Sequence, residues 1–127
     1  AADGRAYLPG ADKPHPRSYG TFARKMGHYS IREKVLPLEQ AVRSSSGLPA
    51  EILGLTDRGY LRAGMVADVV VFDPKSFVDR ATFQQPHQYS AGVNHVFVNG
   101  HPAVFNGQPT GALAGKSLRH QTRAESE

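Results

Sequence analysis

The sequence predicts an α/β chain in which a helical first half precedes a β-rich second half, and three observations support this. Between residues 18 and 54, apolar residues recur at helical spacing. After Gly54, short runs of β-branched residues alternate with turns that contain glycine. Ahead of both, residues 1–17 hold too many Gly and Pro residues for a regular element. We therefore predict two domain portions, residues 1–55 and residues 56–127.

Residues 1–17, the opening loop, are predicted to be a long surface loop that lines a site. Loops of this length in a compact domain commonly carry function when they are ordered. The dipeptide Asp3-Gly4 lies near the start of this loop. Taken alone, Asp-Gly is typical of an ordinary turn, so a catalytic role for Asp3 depends on support from the rest of the sequence.

The first helix is predicted to begin at residues 18–21, where Ser18 or Thr21 can act as the N-cap. Phe22, Met26 and Tyr29 follow at helical spacing and share one face, which favours contacts with the core. Gly27 lies within this helix and costs about 1 kcal/mol relative to alanine.

Two shorter helices are predicted next. Pro37 is suited to the first position of a helix, where its missing N–H is harmless, and residues 44–47 end that helix. Pro49 begins another short helix, and Gly54 is well placed to end it.

The β-rich half is predicted to contain three strands and a hairpin. Val69–Phe72 is a continuous apolar run bounded by turn residues, which indicates a strand buried on both faces. Val93–Val98 and Ala103–Phe105 flank Asn99-Gly100, a strong hairpin signal. Gly59–Leu61 is a candidate fourth strand, and residues 75–92 are expected to be irregular.

A strand buried on both faces needs packing partners that so small a sheet does not supply. We therefore expect the partners to come from another chain or from a preceding segment. The chain begins Ala1-Ala2-Asp3 without an initiator Met, which is consistent with a processed, truncated or partial polypeptide.

Composition excludes several classes of protein. The net charge of +4 is partly due to basic residues in Lys116–Arg123, which we interpret as a solvated tail, so no nucleic-acid partner is expected. There is no cysteine, and hence no disulfide or thiolate metal site. No apolar run reaches the roughly 20 residues of a membrane span. We expect a cytoplasmic protein without a membrane partner.

Five stretches carry a resemblance to a known family. Gly59–Pro74 resembles the C-terminal signature of the amidohydrolase superfamily. Ala2-Asp3-Gly4 together with His15–Phe22 is similar to the segment after the last barrel strand of D-aminoacylases, also called N-acyl-D-amino-acid deacylases. Asp79–Phe83 and Val96–Gly100 resemble the β-sandwich of the same enzymes. The resemblance has one departure, since a Ser is expected where Ala2 stands.

The resemblance implies the fold, the reaction and the partners. The chain would be the last helical segment of a metal-dependent (β/α)8 barrel followed by part of a small β-sandwich. The whole enzyme would use zinc to hydrolyse N-acyl-D-amino acids, small-molecule substrates, to a D-amino acid and a carboxylate. Its partner would be the remaining N-terminal barrel polypeptide of the same enzyme.

By the same resemblance, Asp3 is the general base at the end of the last barrel strand, and it could also contact the metal. Arg17 would pair with the substrate carboxylate through a bidentate guanidinium contact, or it would anchor the loop to a structural acid. His15 would line the site or position the loop. Gly4 is a further candidate for substrate binding.

The histidines do not form a metal-binding pattern. None occurs as His-x-His or at helical i, i+4 spacing. They are His15, His28, His87, His95, His101 and His120. His87, His95 and His101 belong to the predicted sandwich half, and we expect them to be solvated or locally hydrogen-bonded, far from the barrel site. The zinc ligands would then lie outside this chain, and the isolated chain would be inactive.

A competing interpretation comes from another class of protein. The chain would be a non-catalytic, β-rich binding or assembly module that remained after loss of the barrel. The opening loop distinguishes the two interpretations, because a sandwich module has no use for a loop that carries a base. A second polypeptide carrying strand-borne histidines in the same preparation would favour the enzyme.

Overall fold

The computed structural model describes residues 2–8 and 10–119 of the chain. His120 and the second half of the basic segment lie outside this range. Helices precede strands, as the sequence predicts. The elements are α1 (Arg17–Ala23), which continues as a π-helix (Arg24–Arg32), then α2 (Leu38–Arg43), α3 (Gly47–Ile52), β1 (Val69–Phe72), β2 (Val93–Val98), β3 (His101–Phe105) and β4 (Gln108–Pro109). Within the described part of the chain, no helix has the length and apolar character that crossing a bilayer requires.

Contacts within the chain divide it into two compact units. Among the described residues, the first unit comprises those up to residue 41 and residues 72–93, and the second comprises residues 42–71 and 94–119. Each unit is therefore built from two separate stretches of sequence. The predicted domain portions, residues 1–55 and 56–127, stay a prediction.

The first helix begins at Arg17 and has no side-chain N-cap. The backbone N–H of Gly20 donates to the carbonyl of Pro16 at 3.0 Å. Thr21 lies inside the helix, where its hydroxyl donates to the carbonyl of Arg17 at 2.8 Å. The expectation that Ser18 or Thr21 caps this helix is therefore wrong.

The prediction that Phe22 and Tyr29 make core contacts is also wrong. Phe22 is 49% exposed and Tyr29 is 41% exposed. The buried face of this helix instead carries small residues. They are Gly20, Ala23, Gly27 and Ser30. The spacing of large apolar residues was misleading here because a neighbouring segment packs closely against the small ones.

That neighbouring segment contains Phe77, the one large apolar side chain among the described residues that is buried. A Cβ added at Gly27 would lie 2.2 Å from the Phe77 carbonyl oxygen, and one added at Gly92 would lie 2.5 Å from the Phe77 nitrogen. The Phe77 ring stacks on Phe72 with ring centroids 4.6 Å apart. Gly27 therefore weakens the helix locally, but because it has no side chain the Phe77 backbone can pack directly against the helix.

The π-helix occupies the same part of the chain as this contact. The N–H of Glu33 donates to the carbonyl of His28, five residues earlier, at 2.9 Å. The Arg32 guanidinium donates to the carbonyls of Gly27 and Phe77 at 2.7 and 2.8 Å. Because π-helices are uncommon and often occur near functional sites, this one is a feature of interest.

Residues 75–92 are irregular, as predicted, with one short antiparallel contact. Val78 and Ala91 form an isolated β-bridge. Just before this segment, the N–H of Asp73 donates to the carbonyl of Gly92 at 2.8 Å. This pairing closes the segment into a loop and holds Phe77 beside the helix.

The sheet has the strand order β1-β2-β3-β4. Strands β2 and β3 pair antiparallel, with Val98 opposite His101. Asn99 and Gly100 join them with φ values of 49° and 79°, so both residues adopt the positive φ that a type I′ hairpin turn requires. The predicted hairpin is therefore confirmed.

The predicted fourth strand at Gly59–Leu61 is wrong, because the fourth strand is Gln108–Pro109. Gly59 has φ +93°, which a regular strand does not accommodate, and it packs against Ala50 of α3. Tyr60 lies against Gly47 at the start of the same helix. This stretch therefore packs on α3 instead of pairing in the sheet.

The prediction that β1 is buried on both faces assumed packing partners outside this chain, and it stays a prediction. Val70 is 55% exposed and Val71 is 40% exposed. Burial on both faces requires a packed layer on each side of the sheet. Within the part of the chain that the structure describes, these two side chains are not covered.

Gly54 ends α3 as predicted. Its N–H donates to the carbonyl of Glu51 at 3.2 Å, and the N–H of Leu55 donates to the carbonyl of Ala50 at 2.8 Å. With Gly54 at φ +66°, this pair of hydrogen bonds forms a Schellman motif.

Candidate functional site

The opening loop brings together two of the residues that the sequence singles out. Asp3 Oδ2 lies 3.1 Å from Arg17 Nη2, and the Asp3 side chain is 87% exposed. Asp3 has φ +50°, a left-handed conformation that is uncommon for residues other than glycine. The carboxylate is thus fixed beside the first residue of α1 and remains open to solvent.

Gly4 allows this arrangement by packing closely on the helix. A Cβ at Gly4 would lie 3.1 Å from Ser18 Cα, closer than most side chains approach backbone. The N–H of Arg5 donates to the Ser18 hydroxyl at 3.4 Å. Residues 3–5 therefore lie directly against the start of α1.

His15 lies at the same end of the helix. Its Nδ1 accepts a hydrogen bond from the backbone N–H of Arg17 at 3.0 Å, so Nδ1 carries no proton in this arrangement. The imidazole meets the ring of Phe83 edge-on, with centroids 4.9 Å apart. The structure thus places Asp3, Gly4, His15 and Arg17 in one neighbourhood.

His15 and Arg17 form part of a groove in the first unit with a volume of about 660 Å³. Opposite charges pair inside it, since Arg24 Nη1 lies 3.1 Å from Asp79 Oδ2. The Arg24 guanidinium also lies over the Tyr29 ring, 5.4 Å from its centroid. Hydrogen bonds to Tyr29 and then to Asp79 raise the pKa of the Arg24 guanidinium above its ordinary value.

Sequence reasoning missed His87, which it placed far from the opening loop. In the structure His87 belongs to the first unit, and its Nε2 lies 2.8 Å from the carbonyl oxygen of Asp12. This expectation is corrected because residues 72–93 belong to the same compact unit as residues 1–41. His87 and Asp12 are 75 positions apart, so no sequence spacing could have revealed the contact between them.

Two other histidines are held locally. His28 Nε2 lies 3.4 Å from Glu33 Oε1. His95 Nδ1 accepts from the N–H of Asn106 at 3.3 Å, which confirms the expected local hydrogen bond. Among the residues that the structure describes, no three His, Cys, Asp or Glu side chains are grouped so that they could hold a metal ion.

Comparison with known proteins gives a consistent match. The sequence profile of the amidohydrolase family matches residues 8–104. A D-aminoacylase from Alcaligenes xylosoxydans xylosoxydans is 47% identical over 111 residues, which are 87% of this chain and 23% of that protein.

Two crystal structures are similar in fold as well as in sequence. A D-aminoacylase has a TM-score of 0.85 and 44% identity over 93% of this chain and 24% of its own. An N-acyl-D-glutamate deacylase from Bordetella bronchiseptica, in complex with zinc and a phosphonate that mimics the tetrahedral intermediate, has a TM-score of 0.70 and 41% identity over 81% of this chain and 23% of its own. The chain thus spans about a quarter of the length of these relatives.

Proposed function

This chain belongs to the amidohydrolase family, and on that premise we propose that it is the C-terminal portion of a metal-dependent N-acyl-D-amino-acid deacylase. The complete enzyme would hydrolyse an N-acyl-D-amino acid to a D-amino acid and a carboxylate. The observation that carries the proposal is the exposed Asp3 carboxylate, fixed beside Arg17 in a chain 47% identical to a D-aminoacylase.

The proposed place of the chain in that enzyme follows from its similarity to a whole D-aminoacylase. Residues 1–55 would be the last helical segment of a (β/α)8 barrel, and residues 56–127 would be part of a β-sandwich. The TM-score of 0.85 over 93% of the chain supports this assignment. The rest of the polypeptide, about three quarters of the length of such relatives, would be its partner.

Asp3 would act as the general base. An ionised carboxylate can take a proton from the attacking water and pass it to the leaving nitrogen, which is the transfer that amide hydrolysis requires. The high exposure of Asp3 leaves it accessible to a substrate. Barrel enzymes carry such groups after the C-terminal ends of their strands, which is the position proposed for the opening loop.

Arg17 would bind the substrate carboxylate while it keeps its contact with Asp3. A guanidinium has five N–H donors, and one close contact to Asp3 leaves others for a bidentate pair with substrate. His15 would line the same site, and Gly4 would let the substrate approach the backbone. If Arg17 only anchors the loop, its contact with Asp3 is the whole of its role.

The zinc ion of the complete enzyme would be held by residues outside this chain. The described residues do not fit a metal by themselves, because they include no group of three suitable ligands. Zinc, where present in such enzymes, polarises the amide carbonyl and lowers the pKa of water. The contribution proposed for this chain is the base and the substrate contacts.

A chimera tests the proposal directly. The D-aminoacylase of Alcaligenes xylosoxydans xylosoxydans would be expressed with its matching region replaced by this chain. We expect the chimera to hydrolyse N-acetylated D-amino acids but not the L enantiomers, and to lose activity when a chelator removes metal. We expect the isolated chain with added zinc to show no turnover. A folded chimera without activity, or an active isolated chain, would contradict the proposal.

Exposed apolar side chains favour a second candidate, a non-catalytic β-rich binding or assembly module. Val70 and Val71 on β1 are exposed, as is Ile52 on α3. Such surfaces are typical of contact with another polypeptide. In the chimera experiment, a stable folded protein that binds no substrate would favour this alternative.

A further inference from the structure

Three segments of the first unit meet at the imidazole of His87. Its Nε2 lies 2.8 Å from the carbonyl oxygen of Asp12 and 3.2 Å from that of Ala11, both in the opening loop. Its Nδ1 lies 2.9 Å from the hydroxyl of Tyr19 on α1. A single side chain of the irregular segment 75–92 therefore connects the opening loop to the helix.

The partners of His87 fix the direction of each hydrogen bond. Carbonyl oxygens only accept, so Nε2 must carry the proton that points to the loop. In the neutral ring, Nδ1 is then the acceptor and the Tyr19 hydroxyl donates to it. The two rings also meet edge-on, with centroids 5.6 Å apart and an angle of 77° between their planes.

Tyr19 is itself held in place on the helix. The Ser90 hydroxyl donates to the Tyr19 carbonyl at 3.3 Å, and the Tyr89 ring lies 5.8 Å from the Tyr19 ring. Tyr19 lies two residues after Arg17. The contact made by His87 is therefore close in sequence to the helix residue that pairs with Asp3.

The opening loop depends on such a contact because its own interactions are weak. Asp3 and Asp12 have φ values of +50° and +26°, which are unfavourable for residues with a Cβ. The ion pair between Asp3 and Arg17 is exposed, and exposed pairs contribute little to stability. Gly4 and Arg5 contact Ser18, so the restraint that His87 adds falls on Ala11 and Asp12.

We propose that His87 and Tyr19 are positioning residues, which hold the opening loop against α1 and so preserve the position of Asp3 relative to Arg17. The catalytic consequence of this arrangement depends on the proposed deacylase function. The restraint on the loop does not depend on it and can be measured in the 127-residue chain.

Amide hydrogen exchange of the isolated chain tests the restraint. The Ala11 amide donates to the carbonyl of Leu8 at 3.1 Å and reports on the loop. In His87→Ala we expect this amide to exchange roughly tenfold faster, and in Tyr19→Phe about threefold faster, because the contacts that restrain the loop are lost. His87→Gln keeps an N–H donor near the position of Nε2 and should restore most of the protection. His101→Ala, which removes an exposed histidine from β3, is the matched control and should leave the Ala11 amide unchanged.

The amides of Gly20 and Glu33, which are hydrogen-bonded in the helical part of the first unit, show whether that unit remains folded. Unchanged exchange of the Ala11 amide in a folded His87→Ala variant overturns the proposal. If His87→Ala unfolds the chain, Tyr19→Phe provides the same test, because it removes one hydroxyl and keeps the ring. Unchanged protection in Tyr19→Phe then overturns the proposal.

Kinetics in the chimera test the catalytic consequence. Displacing a general base affects the chemical step more than binding, so His87→Ala should lower kcat roughly tenfold and leave KM within about twofold. His87→Gln should recover kcat. A loop that exchanges faster with an unchanged kcat overturns the positioning role. An inactive chimera with the natural sequence contradicts the deacylase proposal instead, and the exchange experiment still decides whether His87 and Tyr19 hold the loop.

Discussion

The two units of this chain are stabilised in different ways. In the second unit, tight turns connect neighbouring strands, and Asn99-Gly100 and Asn106-Gly107 both adopt positive φ. In the first unit, the closest contacts join residues far apart in sequence, such as Gly27 and Phe77. The second unit therefore depends largely on local conformational preference, whereas the first depends on packing between distant segments.

The contacts of two arginine side chains show the same difference in sequence separation between the units. In the second unit Arg58 pairs with Asp57 and Asp68, and both partners lie within ten residues of it. One contact in the second unit is long-range, since Asp68 also accepts the N–H of Asn99, 31 residues away, at 2.8 Å. In the first unit, Arg32 reaches the carbonyl of Phe77, 45 residues away. Because the candidate site lies in the first unit, its geometry depends on these long-range contacts.

The largest expected difference between the units concerns catalysis. In the chimera, Asp3→Asn should lower kcat by at least about 10², because loss of a general base typically costs 10²–10⁴. The measurement is the initial rate of D-amino acid release at saturating substrate. Glu39→Gln removes an exposed carboxylate from α2 and should retain full activity. A near-normal rate for Asp3→Asn would remove this residue from the mechanism.

Packing in the first unit should be sensitive to a single methyl group. Gly27→Ala places a Cβ 2.2 Å from the Phe77 carbonyl oxygen, which the backbone can accommodate only by moving. We expect a loss of about 3 kcal/mol in the free energy of unfolding, as for severe overpacking. Urea unfolding followed by circular dichroism measures it.

Gly115→Ala is the matched control for Gly27→Ala. A Cβ at Gly115 meets no atom within 4 Å, so the free energy of unfolding should change little. Equal stabilities of the two variants would show that the first unit can relax around the helix, and the contrast drawn between the units would then fail.

Removing the Arg32 guanidinium should have a smaller effect. Arg32→Gln cannot reach both carbonyls, so two charge-assisted hydrogen bonds are lost. We expect about 1.5 kcal/mol of destabilisation, since the side chain is partly exposed to water. The same urea titration measures it, and Arg80→Gln, at an exposed position of the same unit, should be close to neutral.

The smallest expected effect is a pH dependence in the second unit. The Tyr60 hydroxyl donates to Glu51, and this hydrogen bond, with Arg43 nearby, holds the pKa of Glu51 below its ordinary value of 4.5. A lowered folded-state pKa adds stability that is present above pH 4.5 and is lost as the pH falls through the folded-state value. The same hydrogen bond raises the pKa of Tyr60 above its ordinary value of 10.0. The stability that this shift adds is present below pH 10.0 and is lost as the pH rises through the folded-state pKa of Tyr60.

Tyr60→Phe should therefore flatten the stability profile at both ends of the pH range. Thermal unfolding at a series of pH values measures this, and Tyr89→Phe in the first unit is the control. If both variants lose stability in acid as steeply as the natural sequence, the hydrogen bond between Tyr60 and Glu51 does not contribute.

Sequence patterns were accurate for several local features, although the N-cap at Ser18 or Thr21 and the strand at Gly59–Leu61 were predicted wrongly. The order of helices and strands, the Asn99-Gly100 hairpin and the glycine that ends α3 all follow from conformational preferences of a few adjacent residues. The prediction failed for Phe22 and Tyr29, because helical spacing identifies a face without showing what packs against it. The family resemblance was also readable from motifs alone, and the match to residues 8–104 confirms it.

The sequence alone therefore determined the family, the succession of elements and the residues proposed for the site. Only the tertiary structure showed that Asp3 pairs with Arg17 and that His87 and Tyr19 connect the loop to the helix. The physical reason is separation along the chain. Turns and caps are encoded by neighbouring residues, whereas a contact across 75 positions exists only once distant segments have packed together.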